Sequence, residues 1–417
     1  FFKKHSSDPE APRIFTVVFA METKATVIER YGDKFLVKQL QDMSTQMNQK
    51  DWVLYTAAGI DAGHLICICR AENEEEISRL VGEAITQYSF IEMPDSRIWL
   101  HMKAGICELH KDDFSVRLTV ERANIACHQS SKTGVRIFDT AMQEDLTLQH
   151  KIETTMEKAL AADEFQAWYQ PKYDIRTRKI IGAEALIRWI SPEMGFMPPG
   201  KFIPLFEKNG FVLAADYEML DQAFQLQKHR IEEGKEVVTI SVNQSRLHMT
   251  EEGYLEKIRA LIEKYQLPPK GLIELELTET VFGDFDQKEN QQRAADIVAA
   301  LHEMGFTISV DDFGSGYSSF MLLNYLPMDV MKIDRSLLNA AGGAKRTRDI
   351  LASVIALGQS LNMQIICEGI ETKEQEELLL SLGCHYGQGF LNAKPMPMAD
   401  FVAFFEKRNA DVAAGLI

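Results

Sequence analysis

The stretch FTISVDDFGSG, Phe306 to Gly316, ends an apolar, β-prone run in two adjacent aspartates, Asp311 and Asp312, and a glycine-rich turn follows at once. Adjacent carboxylates repel, and both lose hydration if the end of that run is buried. The same punctuation recurs through the second half of the chain. Glu184, Asn243, Glu276 with Glu279, Lys332 with Asp334, Glu368 with Glu371, and Gln388 each stand at or just past the C-terminal end of an apolar run. Several carboxylates in one pocket cannot all stay ionised without compensation, and divalent metal is the simplest compensation. Oxygen donors without paired Cys or His favour Mg2+ or Mn2+ over zinc. An aspartate able to bridge two ions about 3.5–4 Å apart suits two-metal hydrolysis of a phosphodiester. The lysine would orient a water nucleophile or neutralise a phosphoryl oxygen, and a nearby glutamate would serve as general base.

Taken singly, each residue has a plainer explanation. Asp312 or Asp334 caps the loop or helix that follows. Glu279 and Glu371 support loop shape or a helix dipole. Asn243 is a turn residue, and Lys332 is a surface charge. These explanations would all have to hold at once, one at every strand end. The ensemble is the signal.

What must position these groups is a series of short strands. From Phe165 onward the runs IIGAEALIRW, VVTISVNQS, LIELELTET, FTISVDDFGSG, DVMKIDRSL, MQIICEGIET and YGQGFLNAKP recur, with helical segments between them. That rhythm predicts an α/β, TIM-like (β/α)8 barrel, in which reactive groups collect where strands end and loops begin. AWYQPKYDIRTRKIIGAEAL reads instead as two strands joined by a tight polar turn, so the first barrel strand is expected to be antiparallel.

Upstream, RIFTVVFAM reads as a buried strand and Ala25 to Met47 as one helix. WVLYTA and HLICICR form a hairpin across GIDAG, and Glu74 to Tyr88 is a helix. RIWLHMKAGICEL is one strand, Ser115 to His128 a helix, and VRIF a last strand. The order βαββαβ predicts an α+β sandwich. Leu148, Ile152, Met156 and Leu160 lie along one stripe of a connecting helix. The expected division is residues 1–140, a connecting helix over 141–161, and residues 162–417.

The 417 residues, 46% hydrophobic, suffice for two cores, and a formal net charge of -16 argues against binding a nucleic-acid polymer or an anionic membrane. The six cysteines form no CxxC pair and sit mostly in runs such as LICIC, as free thiols in a reducing compartment do. No apolar run approaches roughly 18 residues, and no signal peptide is legible. Cytoplasmic domains are the expectation. The chain begins with Phe1 rather than Met. That leaves room for an upstream sensor, or for a segment attaching the full-length protein to the inner membrane, outside this chain.

Together these residues resemble the EAL family of cyclic di-GMP phosphodiesterases, over roughly Ile152 to Phe405. The resemblance rests on EALIRW (Glu184 to Trp189), SVNQS (Ser241 to Ser245), ELTET (Glu276 to Thr280), DDFGSGYSS (Asp311 to Ser319), KID (Lys332 to Asp334), EGIET (Glu368 to Thr372) and QGF (Gln388 to Phe390). It implies a barrel that hydrolyses cyclic di-GMP to linear pGpG with two Mg2+ or Mn2+ ions. Glu184, Asn243, Glu276 and Asp311 would hold one ion, Asp311 would bridge to the second, and Asp312 would lie beside it. Glu368 and Lys332 would engage the water, with Glu368 the base. Gln388 would complete the site, and Asp334 is a further candidate for substrate contact. Gln170 and Arg188 would touch the dinucleotide. Glu279, with Glu371, would support loops, the glycine-rich one linking the site to a homodimer surface. The alternative is a non-catalytic cyclic di-GMP receptor that signals through a protein partner.

The N-terminal part resembles, in layout, the nucleotidyl-cyclase-like GGDEF domain: ATVIERYGDKFL echoes the helix after its metal-binding strand, and KTGVRIFD its last turn and strand. Its hairpin reads AAGIDAGHLICIC, Ala20 stands where the first metal aspartate is expected, and only Glu22 is near. The resemblance therefore implies a degenerate, catalytically inactive GGDEF domain kept for regulation or dimerisation. A diguanylate cyclase, or a dual enzyme, is disfavoured.

Overall fold

The computed structural model describes residues 12–59, 63–93, 96–110, 115–131, 134–278, 288–314, 323, 326–341 and 345–416. The chain divides into two compact units, Phe1–His150 and Lys151–Ile417, and the division falls within the long helix Thr140–Ala161. No helix among the described residues is long and apolar enough to cross a membrane.

The first unit contains strands β1 (Arg13–Met21), β2 (Val53–Gly59), β3 (His64–Ala71), β4 (Phe90–Met93), β5 (Ser96–Trp99), β6 (Met102–Glu108) and β7 (Val135–Ile137). Five of them form a sheet in the order β2-β3-β1-β6-β7, with β1 antiparallel to both neighbours. The run RIFTVVFAM is continuously apolar because both faces of β1 are covered. Phe15, Val17, Phe19 and Met21 pack with Leu36, Leu40, Met43, Ile77 and Val81 from two helices. Val18 packs on the other side with Cys107 and Ala123. The result is an α+β unit.

Two expectations for this unit need correction. The single helix over Ala25 to Met47 is two helices, Lys24–Tyr31 and Asp33–Met47, because Gly32 takes φ 82° between them. Its apolar spacing hides the break, since Val27, Leu36 and Leu40 all reach the same core. The run RIWLHMKAGICEL is likewise two strands. His101 adopts φ 38°, and β5 pairs with β4 in a separate two-stranded hairpin that the sequence reading missed.

The second unit is a closed barrel. Strands β8 (Phe165–Asp174), β9 (Ile180–Ser191), β10 (Gly195–Met197), β11 (Thr239–Gln244), β12 (Ile273–Thr278), β13 (Thr307–Phe313), β14 (Val330–Ile333), β15 (Gln364–Cys367), β16 (Tyr386–Gln388) and β17 (Met396–Pro397) make one sheet. Eight of them close on themselves in the order β9-β11-β12-β13-β14-β15-β16-β8, through the β8–β9 pairing. β8 runs antiparallel to both neighbours, and the other seven are parallel. The short β10 and β17 extend β9 and β8. An aromatic cluster ties β8 and β9 to the helices that follow: the Phe165 ring lies 4.9 Å from Trp189 and 5.7 Å from Phe206, itself 4.7 Å from Phe211.

A half-buried ion pair locks β8 to a helix of the outer ring. Glu376, on the helix Lys373–Ser381, accepts from Tyr173 Oη (2.7 Å) and from Arg178 Nη2 (2.6 Å) in the β8–β9 turn. Burial pushes its carboxyl up, but the Arg178 and Tyr173 hydrogen bonds win and hold it below the usual 4.5. Its contribution is therefore present above pH 4.5 and is lost as the pH falls through the lowered folded value. Glu376→Gln should cost about 1–3 kcal/mol at neutral pH by leaving buried donors poorly matched. Denaturant midpoints of wild type and variant should converge as the pH drops below 4.5; a gap that persists unchanged to about pH 3 refutes the assignment.

Candidate active site

Parallel strands in register bring their polar ends to one level. Glu184 on β9 lies opposite Gln170 on β8 and Ser241 on β11. Asn243 lies opposite Glu276 on β12, and Thr278 opposite Asp311 on β13. Lys332 is the penultimate residue of β14, while Glu368 follows β15 and Gln388 ends β16. Glu276 and Lys332 are 0% exposed, Glu184 6% and Asp311 7%. These groups are inside the barrel mouth, not on its rim.

Lys332 is the hub. Its Nζ lies 2.5 Å from Glu276 Oε2, 2.7 Å from Glu368 Oε1, 3.0 Å from Asp311 Oδ1 and 3.3 Å from Glu184 Oε2. Burial alone would favour the neutral amine, but these carboxylates reverse that and raise its pKa well above the usual lysine value. The carboxylates divide the benefit unequally. Burial raises Glu276 too, yet Lys332 and Lys172 on either side overcome it and hold it at about 2. Asp311 is pushed up to about 6, by burial that Lys332 only partly offsets. Burial also raises Glu184, and raises Glu368 well above the ordinary range.

Strand alternation would send Asp311 inward and Asp312 outward, so the pair needs a break in the ladder. Pairing of β13 with β14 shifts between Val310 and Phe313, and Asp312 takes φ 54°. Aspartate tolerates this left-handed conformation better than most residues, at a cost of about 1–3 kcal/mol. The bulge returns the second carboxylate to the mouth: oxygens of Asp311, Asp312 and Glu368 come within 4.8 Å of one another. Asp312 is raised by burial and then by nearby Asp334.

Amides orient Glu184. Asn243 Nδ2 donates to its Oε1 (2.9 Å), and Gln388 Nε2 donates to its Oε2 (2.7 Å) and to Gln170 Oε1 (3.0 Å). Gln388 Oε1 is buried and has no hydrogen-bond partner among the described residues. Gly389 allows the chain to turn tightly after Gln388, because a Cβ there would sit 2.1 Å from the Ile370 carbonyl oxygen.

The donor set suits divalent cations. Glu184, Glu276 and Asp311 offer three buried oxygens within 4.8 Å, and Asp311, Asp312 and Glu368 offer a second group sharing Asp311. Among these five carboxylates only one ammonium, Lys332, makes contacts with four. With all five ionised, the excess is four negative charges, which two divalent ions would balance.

The remaining predicted residues lie further out. Arg188 projects over the Trp168 ring at 5.8 Å, and its Nη1 donates to the Ile187 carbonyl. Asp334 Oδ1 accepts from Ser336 N at 2.9 Å, so here the capping explanation holds. Glu371 is exposed and borders a cavity of about 310 Å3 that contains Gln170, Glu184, Asp311, Asp312, Glu368 and Gln388. Glu279 and most of the glycine-rich turn lie outside the described residues. Sequence reasoning missed Leu186, Arg335 and Phe390 in the cavity wall. It also missed Lys172 and Glu274, both buried directly beneath the mouth. The signal for that pair was available: Lys172 follows Gln170 by two residues, and Glu274 precedes Glu276 by two.

Residues 153–395 match the model of the EAL domain. Over 382 residues the chain is 30% identical to the bifunctional diguanylate cyclase/cyclic di-GMP phosphodiesterase MucR of Pseudomonas aeruginosa, covering 89% of this chain and 53% of MucR. It is 32% identical over 249 residues to the cyclic di-GMP phosphodiesterase RocR of the same organism, covering 59% of this chain and 61% of RocR. The solved structure of the PaMucR phosphodiesterase in complex with c-di-GMP aligns at 34% identity with a TM-score of 0.55, covering 60% of this chain and 99% of that one. This chain spans about half the length of the curated relatives it matches. The family match takes in more than half of the sequence and every carboxylate of the mouth: the chain belongs to the EAL-domain family.

Proposed function

We propose that this chain is a divalent-metal-dependent phosphodiesterase that hydrolyses cyclic di-GMP to linear pGpG. The observation that carries the reading is the complete carboxylate set around Lys332, with its uncompensated negative charge. Glu184, Asn243, Glu276 and Asp311 would hold one Mg2+ or Mn2+, and Asp311 with Asp312 the second. When bound, the ions supply charge neutralisation at a phosphoryl oxygen and acidify a water. Glu368, whose Oε1 lies 2.7 Å from Lys332 Nζ, would accept the proton of a water at the mouth as general base. Water oxygen bonds to phosphorus, the bond from phosphorus to the ribose 3′ oxygen breaks, and the departing 3′ oxygen takes up a proton to become a hydroxyl. Lys332 stays protonated and keeps the carboxylates at fixed separation.

Gln388 contributes a buried oxygen that has no partner among the described residues, and its Nε2 donates to Gln170 Oε1. Both, with Arg188 and Asp334, are assigned to the dinucleotide, and Glu279 and Glu371 to loop support. A homodimer through the barrel, and an upstream sensor or membrane segment outside this chain, belong to the same reading. Residues 1–140 are read as a degenerate GGDEF-like domain with a regulatory or dimerisation role, joined by the helix over 141–161 to the phosphodiesterase domain over 162–417. What supports this is Ala20 near the end of β1 and Glu22 already paired with Lys103 at 2.6 Å.

Purified protein with Mn2+ should convert cyclic di-GMP to pGpG. Glu184→Ala should abolish turnover, and Glu368→Gln should lower kcat by about 10²–10⁴ while nucleotide binding persists. Tight binding without turnover by the wild type would replace this reading with the receptor one. Mn2+ should also raise the melting temperature in the absence of nucleotide, corresponding to about 2.7 kcal/mol at 100 times Kd. A melting temperature indifferent to both Mn2+ and EDTA would remove the metal assignment. GTP offered to the same protein should remain unconverted.

A further inference from the structure

Beneath the carboxylates of the mouth lies a second charged layer whose members have no role so far. Lys172 is 2% exposed and Glu274 5%. Lys172 Nζ lies 3.0 Å from Glu274 Oε1 and 3.0 Å from Glu276 Oε1. Glu276 is thus gripped by both oxygens, Oε1 by Lys172 and Oε2 by Lys332 at 2.5 Å. The antiparallel β8 supplies this contact. Gln170 faces Glu184 at the mouth, and Lys172, two residues on, lies opposite Gly182 on β9 and Gln388 on β16. Gly182 itself is set by β11, since a Cβ there would sit 2.8 Å from the Thr239 carbonyl oxygen, whereas Lys172 Cδ at 3.7 Å would be in ordinary contact.

Barrel interiors are ordinarily filled by branched aliphatic side chains, and a buried ammonium costs several kcal/mol before its partners repay it. An aliphatic residue would fill the space of Lys172 at lower cost. Glu274 matches the lysine's charge, so the pair adds no net charge beneath the site. What remains is directional: a donor aimed at one oxygen of a carboxylate that faces the mouth with the other. We propose that Lys172, braced by Glu274, is a positioning residue that fixes the rotation of the Glu276 carboxylate and presets the mouth for a divalent cation. This rests on the metal-dependent reading above. It places Lys172 in the layer of partners around metal ligands whose loss typically weakens metal binding about 10–100-fold.

The test is Mn2+ affinity of the full chain, prepared free of metal and titrated without nucleotide, with free Mn2+ followed by its electron paramagnetic resonance signal. Lys172→Met combined with Glu274→Met replaces the ion pair by apolar side chains of similar length and leaves no unpaired charge from it. The expected result is a melting temperature near that of the wild type with Kd for Mn2+ raised about ten-fold or more. A folded double variant that binds Mn2+ within about two-fold of wild type overturns the proposal, because Lys172 then serves only Glu274. If that variant does not fold, Lys172→Gln is measured in the same way, and the same two outcomes decide. Failure of the wild type itself to bind Mn2+ overturns the metal reading as well, whereas normal binding by wild type and variant alike overturns only the role of Lys172.

Discussion

One ammonium, Lys332 Nζ, stands buried among four carboxylates in the barrel mouth. Two unit charges 4 Å apart interact by about 4 kcal/mol at the effective dielectric of partly buried sites, and by about a quarter of that in water. Repulsion among the carboxylates is therefore a large term, and a single lysine cannot cancel it. The protons record the imbalance: Glu276, between two lysines, stays ionised, while Asp311, Glu184 and Glu368 hold protons more tightly than usual. Protons and cations compete for the same charge. Divalent ions entering this mouth would expel protons, so their affinity should fall toward acid pH.

That electrostatic demand explains the backbone around it. A regular strand delivers one side chain per two residues to the interior. The mouth takes two consecutive ones from β13, and the bulge with Asp312 at φ 54° is what permits it. The antiparallel β8 solves a related problem. It presents Gln170 and Lys172 to the interior beside the strand carrying Glu184: Lys172 donates to Glu276, and Gln170 Oε1 accepts from the Gln388 amide that also donates to Glu184. Neighbouring contacts stabilise the β8 arrangement. The Phe165–Trp189 contact holds the β8–β9 pair, and the Arg178–Glu376 pair holds the turn between them.

The sequence made the barrel legible because its strands are short, apolar and separated by helices, and because each ended on a group with chemistry. It made the mouth legible through the same ends: Glu184, Asn243, Glu276, Asp311, Lys332, Glu368 and Gln388 come within one buried cluster. What escaped were features that leave periodicity intact. Gly32 interrupts a helix whose two halves share one apolar face. His101 breaks an apolar run that continues in a different sheet. Lys172 and Glu274 were passed over because a charge inside a strand, rather than at its end, reads as solvent-facing. Asp334, a motif residue, also accepts from Ser336 N in the turn that follows it.

The N-terminal unit applies the same charge argument in reverse. Its sheet carries Glu22 just beyond β1, but Lys103 on β6 reaches that carboxylate at 2.6 Å, and Ala20 offers no second one. A lone carboxylate already paired with a lysine lacks the further oxygen donors that a doubly charged ion takes. Among the described residues, the carboxylate groups close enough to share an ion both lie in the barrel. The two units thus differ less in whether they carry acidic residues than in whether a lysine has already answered them. In the barrel Lys332 answers four at once and leaves most of the charge uncompensated, and that deficit is what makes its mouth a place for metal.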